Sequence, residues 1–214
     1  MSLNYLIREP KNTTSKTPLL ILLHGYGSNA EDLFSFASEL PEDLLIISAQ
    51  APHNMGFNQY AWYTIHFDAN DGKFSDIPEA IAARDLIATF IDELKEKQEF
   101  DHDNITLLGF SQGAILSYSI AFNYPEKVKQ VIALSGYLNP EINNTDIDLV
   151  KAKNIPFYIS HGTEDQVLPV ALARETVAFL EEENFDVSYH EYAMGHGVSP
   201  QNFVDFKKWL IARI

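Results

Sequence analysis

The sequence predicts an α/β fold in which a mostly parallel sheet is covered by helices on both faces. Short, continuous apolar runs such as residues 19–23 recur along the 214-residue chain, as expected for strands that are buried on both faces. Segments of ten or more residues with apolar positions at helical spacing alternate with these runs, a pattern typical of parallel sheets. In such a fold, reactive groups gather beyond the carboxyl ends of the strands.

The individual elements follow from apolar periodicity and from end signals. The predicted strands are 3–8, 19–23, 44–48, 105–108, 128–134, 156–160 and 187–192. The predicted helices are 30–40, 78–97, 114–122, 170–183 and 200–214. Ser28 or Asn29 can cap the first helix, and Pro78 suits the first turn of the second. Residues 135–154 are predicted to be a polar excursion with a short helix.

Residues 50–77 break this alternation and are rich in aromatic side chains. They are predicted to form one long loop, and loops of that length inside compact domains are usually functional. Trp62, Tyr63, Ile65 and Phe67 of this loop can line an apolar slot for a ligand. The alternative for each of them is to pack the loop onto the core.

Composition limits the class of protein. A hydrophobic content of 46% over 214 residues suits a single domain spanning 1–214, with no linker or repeat to divide it. The net charge of −15 disfavours nucleic acids and anionic membranes as partners. The absence of cysteine excludes disulfides and thiol chemistry. Since no signal-peptide or membrane-spanning pattern is present, a soluble, cytoplasmic protein is expected.

Residues 109–113, Gly-Phe-Ser-Gln-Gly, combine a serine with the backbone freedom needed to expose it. An apolar strand precedes them and a helical pattern follows. A strand that turns into a helix within one residue forces its pivot into a strained conformation, and the flanking Gly109 and Gly113 leave room for it. The segment therefore predicts a nucleophile elbow at Ser111. The alternative is an ordinary tight turn.

A serine hydroxyl needs a base within hydrogen-bond reach and a group that orients the base. Asp165 and His196 each follow a predicted strand, so both are expected at the same sheet edge as Ser111. The chain order Ser, Asp, His is that of α/β-hydrolases. Glu164 is adjacent to Asp165 and remains an alternative acid.

Six further histidines compete with His196 for the role of base. His24 and His161 precede glycine at strand ends, where a neutral imidazole that ties down a loop is the expected role. With Asp165 they form the one candidate set for a metal, but no recognised ligand spacing supports a metal site. No metal and no cofactor are expected.

Negative charge that develops on a substrate carbonyl oxygen requires preorganised donors. The backbone amide of Gln112, at the start of the elbow helix, is the first candidate, and the helix dipole assists it. A second donor is expected from the turn at residues 25–27, Gly-Tyr-Gly, whose small residues let amides approach a ligand. The alternative for that turn is a purely structural role.

Five segments together resemble the phospholipase/carboxylesterase family, small α/β-hydrolases related to acyl-protein thioesterases. They are Leu-His-Gly-Tyr-Gly at 23–27, Gly-Phe-Ser-Gln-Gly at 109–113, Leu-Ser-Gly-Tyr-Leu at 134–138, His-Gly-Thr-Glu-Asp at 161–165 and Met-Gly-His at 194–196. The resemblance runs from about residue 18 to the carboxyl terminus. It implies an α/β-hydrolase fold. The chain is compact and shows no inserted large cap domain, which argues against an elaborate lid.

The resemblance also implies roles for individual residues. Ser111, His196 and Asp165 would form the catalytic triad, and the amides of Tyr26 and Gln112 would be the oxyanion donors. An acyl pocket would lie near the Ala61-Trp62 segment and Leu168. Tyr26 departs from the leucine that the family often has there, a change to which a backbone amide is indifferent but pocket shape is not.

These observations predict a serine hydrolase that cleaves carboxylic esters or thioesters through an acyl-enzyme. The expected partner is a small-molecule ester or thioester, with no nucleic acid and no integral membrane association, and the chain can be a monomer or a homodimer. Soluble esters, lysophospholipids and acylated proteins remain open as substrates. An inactive hydrolase-fold binding module and a metal hydrolase are the rival classes.

Overall fold

The computed structural model describes residues 2–67, 73–143 and 149–214. Its central sheet contains seven strands, β1 (Tyr5–Arg8), β2 (Leu19–Leu23), β3 (Leu45–Ala49), β8 (Ile105–Phe110), β9 (Gln130–Leu134), β10 (Phe157–Gly162) and β11 (Val187–Tyr192); β4 to β7 form two separate hairpins. The strands of the central sheet lie in the order β1-β3-β2-β8-β9-β10-β11. β1 pairs antiparallel with β3, and every other neighbouring pair is parallel. The predicted mostly parallel sheet is confirmed.

Helices cover both faces of the sheet. The described α-helices are α1 (Ala30–Phe34), α2 (Ile77–Lys97), α3 (Gln112–Asn123), α4 (Leu149–Ala152), α5 (Val170–Glu182) and α6 (Pro200–Ile211). Short 3-10 helices span Ser35–Glu39, Pro125–Lys127 and Pro140–Ile142. The short helix expected in the polar excursion is thus present, while residues 144–148 of that excursion lie outside the described residues.

β2 explains why two helical layers are needed. Leu19, Ile21 and Leu23 pack into a cluster with α2 and α3, whereas Leu20 and Leu22 pack with α1 and α6. All five side chains are fully buried. Successive side chains of a strand point to opposite faces, and burial of each stabilises the fold by about 1.5–3 kcal/mol. A run that is apolar at every position therefore requires cover on both sides.

The first predicted helix, residues 30–40, is only partly an α-helix in the structure. Asn29 caps it by accepting from the Glu31 amide, but the α-helical part ends at Phe34 and continues as a 3-10 helix to Glu39. The Ser35 hydroxyl donates to the Asp32 carbonyl at 2.6 Å. Serine side chains that bond nearby backbone groups compete with regular α-helix, and the helix tightens at this serine.

Residues 50–77, predicted as one long loop, contain two short antiparallel hairpins. They are formed by β4 (His53–Gly56) with β5 (Gln59–Ala61), and by β6 (Ile65–Phe67) with β7 (Lys73–Ser75). Residues 68–72 lie outside the described residues. Phe57 and Asn58 turn the first hairpin with φ of 53° and 58°. Such turns usually carry glycine at these positions, so the sequence lacked the ordinary hairpin signal.

The parallel strands deliver the predicted site residues to one edge of the sheet. Ser111 directly follows β8, while Asp165 and His196 lie in the loops after β10 and β11. β8, β9, β10 and β11 are consecutive neighbours in the sheet. Their carboxyl ends therefore place these three loops side by side.

Candidate active site

Ser111 forms the pivot between β8 and α3. Its backbone has φ 53° and ψ −115°, a left-handed conformation that is unusual outside glycine. A Cβ at Gly113 would lie 2.0 Å from the Leu23 carbonyl oxygen, and one at Gly109 would lie 2.3 Å from the Gly113 carbonyl oxygen. Both positions therefore require glycine because the backbone approaches too closely for any side chain. The strain at Ser111 is sustained by this packing.

Ser111, His196 and Asp165 form a continuous hydrogen-bonded chain. Ser111 Oγ lies 3.0 Å from His196 Nε2, and His196 Nδ1 lies 2.7 Å from Asp165 Oδ2. An ionised carboxylate only accepts hydrogen bonds, so the proton of the neutral imidazole sits on Nδ1. Nε2 is then free to accept from the serine hydroxyl. The structure thus brings together three side chains that are up to 85 positions apart in the sequence.

The carboxylate of Asp165 is held on both oxygens. Oδ1 accepts from the amides of Val167 and Leu168, each at 2.8 Å, while Oδ2 faces His196. Burial raises the pKa of this carboxyl, but the hydrogen bonds from His196 and the two amides outweigh it and hold the pKa below its ordinary value. The alternative acid, Glu164, is exposed. Asp165 is therefore the acid that contacts His196.

Two of the competing histidines tie down loops, as their positions predict. His24 is fully buried, donates from Nδ1 to the Gly25 carbonyl at 2.8 Å and accepts the Ala51 amide on Nε2 at 3.1 Å. Burial lowers the pKa of His24. His161 is fully buried as well, and its Nε2 donates to the Leu168 carbonyl at 2.8 Å.

The turn at residues 25–27 lies directly against the elbow. A Cβ at Gly25 would lie 3.3 Å from Ser111 Cβ. The Ser28 amide donates to the Gly25 carbonyl, and the Gly27 amide donates to the Tyr60 carbonyl at 2.9 Å. Both bonds hold the turn, and the amide of Tyr26 between them takes part in neither.

Gln112 has a side-chain role that the sequence did not reveal. Its Oε1 accepts the Trp62 amide at 2.9 Å, and its Nε2 donates to the Tyr63 carbonyl at 2.7 Å. The side chain therefore clamps the aromatic segment onto the elbow. The backbone amide of Gln112 opens α3, where the first amides of a helix have no intrahelical acceptor and the dipole is positive.

Ser135, directly after β9, is a second strained residue that sequence reasoning missed. Its φ is 50°, its amide donates to the Ser160 carbonyl at 2.8 Å, and its hydroxyl donates to the Gly197 carbonyl at 3.3 Å. It therefore supports the loop that carries His196. The signal in the sequence was a serine directly after a buried strand with a glycine close behind it, as at Ser111.

A cleft of about 650 Å³ opens at Ser111, Gln112 and His196. Its walls are largely apolar and include Tyr26, Tyr63, Ile65, Phe74, Tyr137 and Leu168. Leu168 and Tyr26 thus line the same cleft as Ser111. The size and the mixture of apolar walls with a few polar groups are typical of a small-ligand site.

Trp62 is the exception among the predicted site residues. It is fully buried, its indole Nε1 donates to the His24 carbonyl at 2.9 Å, and it is absent from the described lining of the cleft. The neighbouring Tyr63 and Ile65 line the cleft instead. The expectation that Trp62 lines an acyl pocket is corrected on this point, because its indole N–H finds a partner in the core. The side chain of Phe67 lies outside the described part of the structure.

Within residues 2–67, 73–143 and 149–214, no group of three or more acidic or histidine side chains is arranged to hold a metal ion. None of the helices in these ranges is long and apolar enough to span a bilayer.

Comparison with known proteins identifies relatives along nearly the whole chain. The model of the phospholipase/carboxylesterase family matches residues 6–214. Acyl-protein thioesterase 1 of Emericella nidulans is 28% identical over 217 residues, covering 91% of this chain and 89% of that protein.

Solved structures of low sequence identity share the fold. The carboxylesterase of Bacillus cereus is 23% identical with a TM-score of 0.84, covering 99% of this chain and 95% of that one. Acyl-protein thioesterase 2 of Zea mays is 22% identical with a TM-score of 0.75, covering 98% of each chain. The fold is the α/β-hydrolase fold that the resemblance implied, and the family match supports a hydrolase of ester or thioester bonds. Since the match extends over residues 6–214, the chain belongs to the phospholipase/carboxylesterase family.

Proposed function

We propose that this protein is a serine hydrolase that cleaves carboxylic esters or thioesters through an acyl-enzyme on Ser111. The observation that carries the proposal is the hydrogen-bonded chain from Ser111 Oγ through His196 to Asp165, with distances of 3.0 and 2.7 Å. These distances lie within the range in which a base can take a proton from a nucleophile.

In the first half-reaction, Ser111 Oγ attacks the carbonyl carbon while its proton passes to His196 Nε2. Asp165 keeps the imidazole oriented through Nδ1–H and stabilises the imidazolium that forms. The carbonyl oxygen becomes an oxyanion, which accepts hydrogen bonds from the amides of Tyr26 and Gln112. Loss of one such donor costs about a hundredfold to a thousandfold in kcat in serine hydrolases.

Acylation is complete when the tetrahedral intermediate collapses to the acyl-enzyme and the leaving alcohol or thiol takes the proton from His196. Water then enters, gives its proton to His196 Nε2 and attacks the acyl carbon. Collapse of the second intermediate returns the proton to Ser111 Oγ and releases the carboxylic acid. Every step uses groups of this chain and water, so the proposal includes no cofactor.

The cleft favours an acyl group with an apolar chain and no negative charge. Its walls are aromatic and aliphatic, its acidic residue is Glu141, and no lysine or arginine of the described residues lines it. The net charge of −15 acts in the same direction over longer distances. The named relatives include acyl-protein thioesterases and a carboxylesterase, which supports testing both oxygen esters and thioesters.

The decisive experiment compares the wild type with Ser111→Ala on p-nitrophenyl esters of graded chain length and on one thioester. Ser15→Ala, at an exposed serine, is the matched control. We expect kcat to fall by about 10⁴-fold or more in Ser111→Ala and to stay unchanged in the control. A fluorophosphonate probe is expected to label Ser111 covalently. A wild type that is neither active nor labelled would favour the inactive binding module.

A further inference from the structure

The cleft that contains Ser111 holds a charged side chain that the proposed mechanism does not use. Glu141 is the one acid among the described residues that line this cleft, and no lysine or arginine of that lining balances it. Glu141 is exposed to solvent, and no ion pair joins it to another described residue. Its negative charge is therefore available to a ligand in the cleft.

The segment that carries Glu141 is anchored to the body of the protein. Asn139 caps the 3-10 helix by accepting the Glu141 amide on Oδ1 at 3.0 Å. The next residue, Ile142, is fully buried, and its carbonyl accepts from Arg84 at 2.7 Å. The guanidinium of Arg84 is buried, pairs with Asp85 at 2.7 Å and is absent from the described lining of the cleft. Glu141 thus has a fixed backbone position, and the positive charge near its segment is already paired.

Aromatic rings accompany this carboxylate in the cleft. Tyr137 and Tyr63 line the same space as Glu141. Burial raises the pKa of Tyr137, and the negative charge of Glu141 raises it further, as expected when a carboxylate lies near a phenol. Burial and the neighbouring Tyr137 raise the pKa of Tyr63 as well. The faces of such rings attract cations, and a group of aromatic rings is a common binding site for quaternary ammonium.

We propose that Glu141, Tyr137 and Tyr63 form a subsite for an ammonium group of the substrate. The inference rests on the proposed function and extends it to the substrate class, because it makes cationic esters or thioesters the preferred substrates. The net charge of −15 favours the approach of such cations. The ammonium group can belong to the acyl part or to the alcohol part of the ester, and the same chemistry recognises both.

A neutral hydroxyl group is a weaker occupant of this subsite. It can exchange hydrogen bonds with the carboxylate and the phenols, but water offers it the same bonds, so the net gain is small. A cation gains in addition from the unbalanced charge and from the ring faces. A purely structural role is the other alternative, since Glu141 lies in the first turn of its 3-10 helix, where an acid is favourable. That role would not alter the preference between substrates.

Two pairs of substrates that differ only in charge provide the test. Butyrylcholine and 3,3-dimethylbutyl butyrate carry a trimethylammonium or a tert-butyl group on the alcohol part. The p-nitrophenyl esters of 4-(trimethylammonio)butyric acid and 5,5-dimethylhexanoic acid carry the same two groups on the acyl part.

The measured quantity is the ratio of kcat/KM for the cationic and the neutral ester of each pair, divided by the ratio of their rates of hydrolysis by hydroxide. This division removes the difference in intrinsic reactivity. The salt concentration is about 0.15 M, where the Debye length of about 8 Å weakens the field of distant charges. We expect a normalised ratio of about 5 to 20 in one pair, and that pair identifies the part of the substrate that occupies the subsite.

Variants of Glu141 test whether its charge causes the preference. Glu141→Gln keeps the size of the side chain and is expected to lower the ratio by about threefold to fivefold. Glu141→Lys is expected to lower it by about tenfold or more, because the lysine repels the ammonium group. The matched control is Glu175→Gln, at an exposed acid of α5 outside the described lining of the cleft. It removes the same charge from the protein and is expected to keep the wild-type ratio.

The outcomes separate this inference from the proposed function. A neutral alkyl fluorophosphonate is expected to label Ser111 at the same rate in the wild type and in all three variants. If no ester is hydrolysed and Ser111 is not labelled, the proposed function fails and the subsite fails with it. If labelling is intact, a ratio near one in both wild-type pairs, a ratio that survives in Glu141→Lys, or an equal fall in Glu175→Gln would overturn the subsite alone.

Discussion

His161 contacts the carboxylate of Asp165 from inside the protein: its Nε2 lies 3.3 Å from Asp165 Oδ2, and both side chains are fully buried. The same nitrogen donates to the Leu168 carbonyl at 2.8 Å, while the Leu168 amide donates to Asp165 Oδ1. His161 Nδ1 has no hydrogen-bond partner among the described residues. The imidazole therefore holds the loop that orients Asp165 and packs its Nε2 against the carboxylate oxygen that faces His196.

This contact predicts that His161 positions the acid. His161→Leu is expected to lower kcat/KM by about 10- to 100-fold, because the buried Leu168 carbonyl loses its donor, at a cost of about 1–3 kcal/mol, and the loop that orients Asp165 loses its anchor. The measurement is the rate of Ser111 labelling together with ester turnover, after a thermal melt has shown that the variant folds. His161→Gln retains an amide donor and is expected to recover part of the rate. Equal turnover in the wild type and the leucine variant would remove His161 from this role.

His24 predicts a loss of stability in mild acid. Burial lowers its pKa in the folded protein below the ordinary value of 6.5. Above pH 6.5 both folded and unfolded chains carry a neutral His24, and its contribution is complete. As the pH falls below 6.5, the unfolded chain binds a proton that the folded chain does not, so the free energy of unfolding falls by up to about 1.4 kcal/mol per pH unit.

Urea unfolding of wild type and His24→Asn at pH 7.5 and 5.5 measures this contribution. The variant is expected to be less stable at pH 7.5, because the Ala51 amide and the Gly25 carbonyl lose their partner. Its free energy of unfolding is nevertheless expected to differ less between the two pH values than that of the wild type. The exposed His190 provides the control, since His190→Asn is expected to keep the wild-type slope. If the free energy of unfolding of His24→Asn falls as much between pH 7.5 and 5.5 as that of the wild type, a group other than His24 causes the loss of stability in acid.

The fold and the three hydrogen-bonded side chains of the candidate site could be predicted from the sequence for a physical reason. A strand such as β2 is apolar at every position only when both of its faces are buried. Residues 19–23 therefore predict a helical layer on each side of the sheet. Ser111 needs the space that Gly109 and Gly113 leave, and parallel strands bring the loops of Asp165 and His196 to the same edge. Each of these features depends on local pattern and strand direction.

The structural features that the sequence did not predict depend on contacts between segments that are distant in the chain. Trp62 and Tyr63 are adjacent aromatics, and the sequence does not say which of them faces the cleft. The Gln112 side chain holds the backbone at both residues, and the indole donates to the His24 carbonyl. Neither contact has a signature within its own segment. The left-handed turn at Phe57 is similarly hidden, because a bulky residue occupies a position that usually holds glycine.

Trp62 is buried in the core whereas Tyr63 lines the cleft, so a substitution of Trp62 is predicted to change stability and one of Tyr63 to change substrate preference. Trp62→Phe leaves the buried His24 carbonyl without its donor, which costs about 1–3 kcal/mol, or a fall in Tm of roughly 2–4 °C per kcal/mol for a chain of this size. The ratio of kcat/KM for octanoyl and acetyl esters is expected to stay constant. Tyr63→Leu reshapes the cleft and is expected to change that ratio by about fourfold for each methylene gained or lost in the wall contact.

Melting curves and ester turnover of both variants provide the measurement. Because Tyr63 is almost fully buried, its variant is compared at a temperature where both proteins are folded. A chain-length ratio that shifts in Trp62→Phe, but not in Tyr63→Leu, would restore the original assignment of Trp62 to the acyl pocket.

Gly162 and Gly197 both adjoin the loop that carries His196, and the same substitution is predicted to have opposite outcomes at the two positions. Gly162 ends β10 against the loop that carries His196: a Cβ there would lie 2.3 Å from the carbonyl oxygens of both Met194 and Gly195. Those atoms belong to the backbone and can yield only if the loop moves. At Gly197 no atom lies within 4 Å of an added Cβ.

Gly162→Ala is therefore expected to push residues 194–196 away from β10 and to displace the imidazole of His196. A misplacement of about 1 Å in a catalytic group can cost about a hundredfold, so kcat is expected to fall by about that factor while the sheet remains folded. Gly197→Ala is expected to stay within about twofold of wild type, as is usual for substitutions without a clash. Burst kinetics with p-nitrophenyl butyrate measures acylation in both. If Gly162→Ala acylates at the wild-type rate, the close approach of β10 does not position His196.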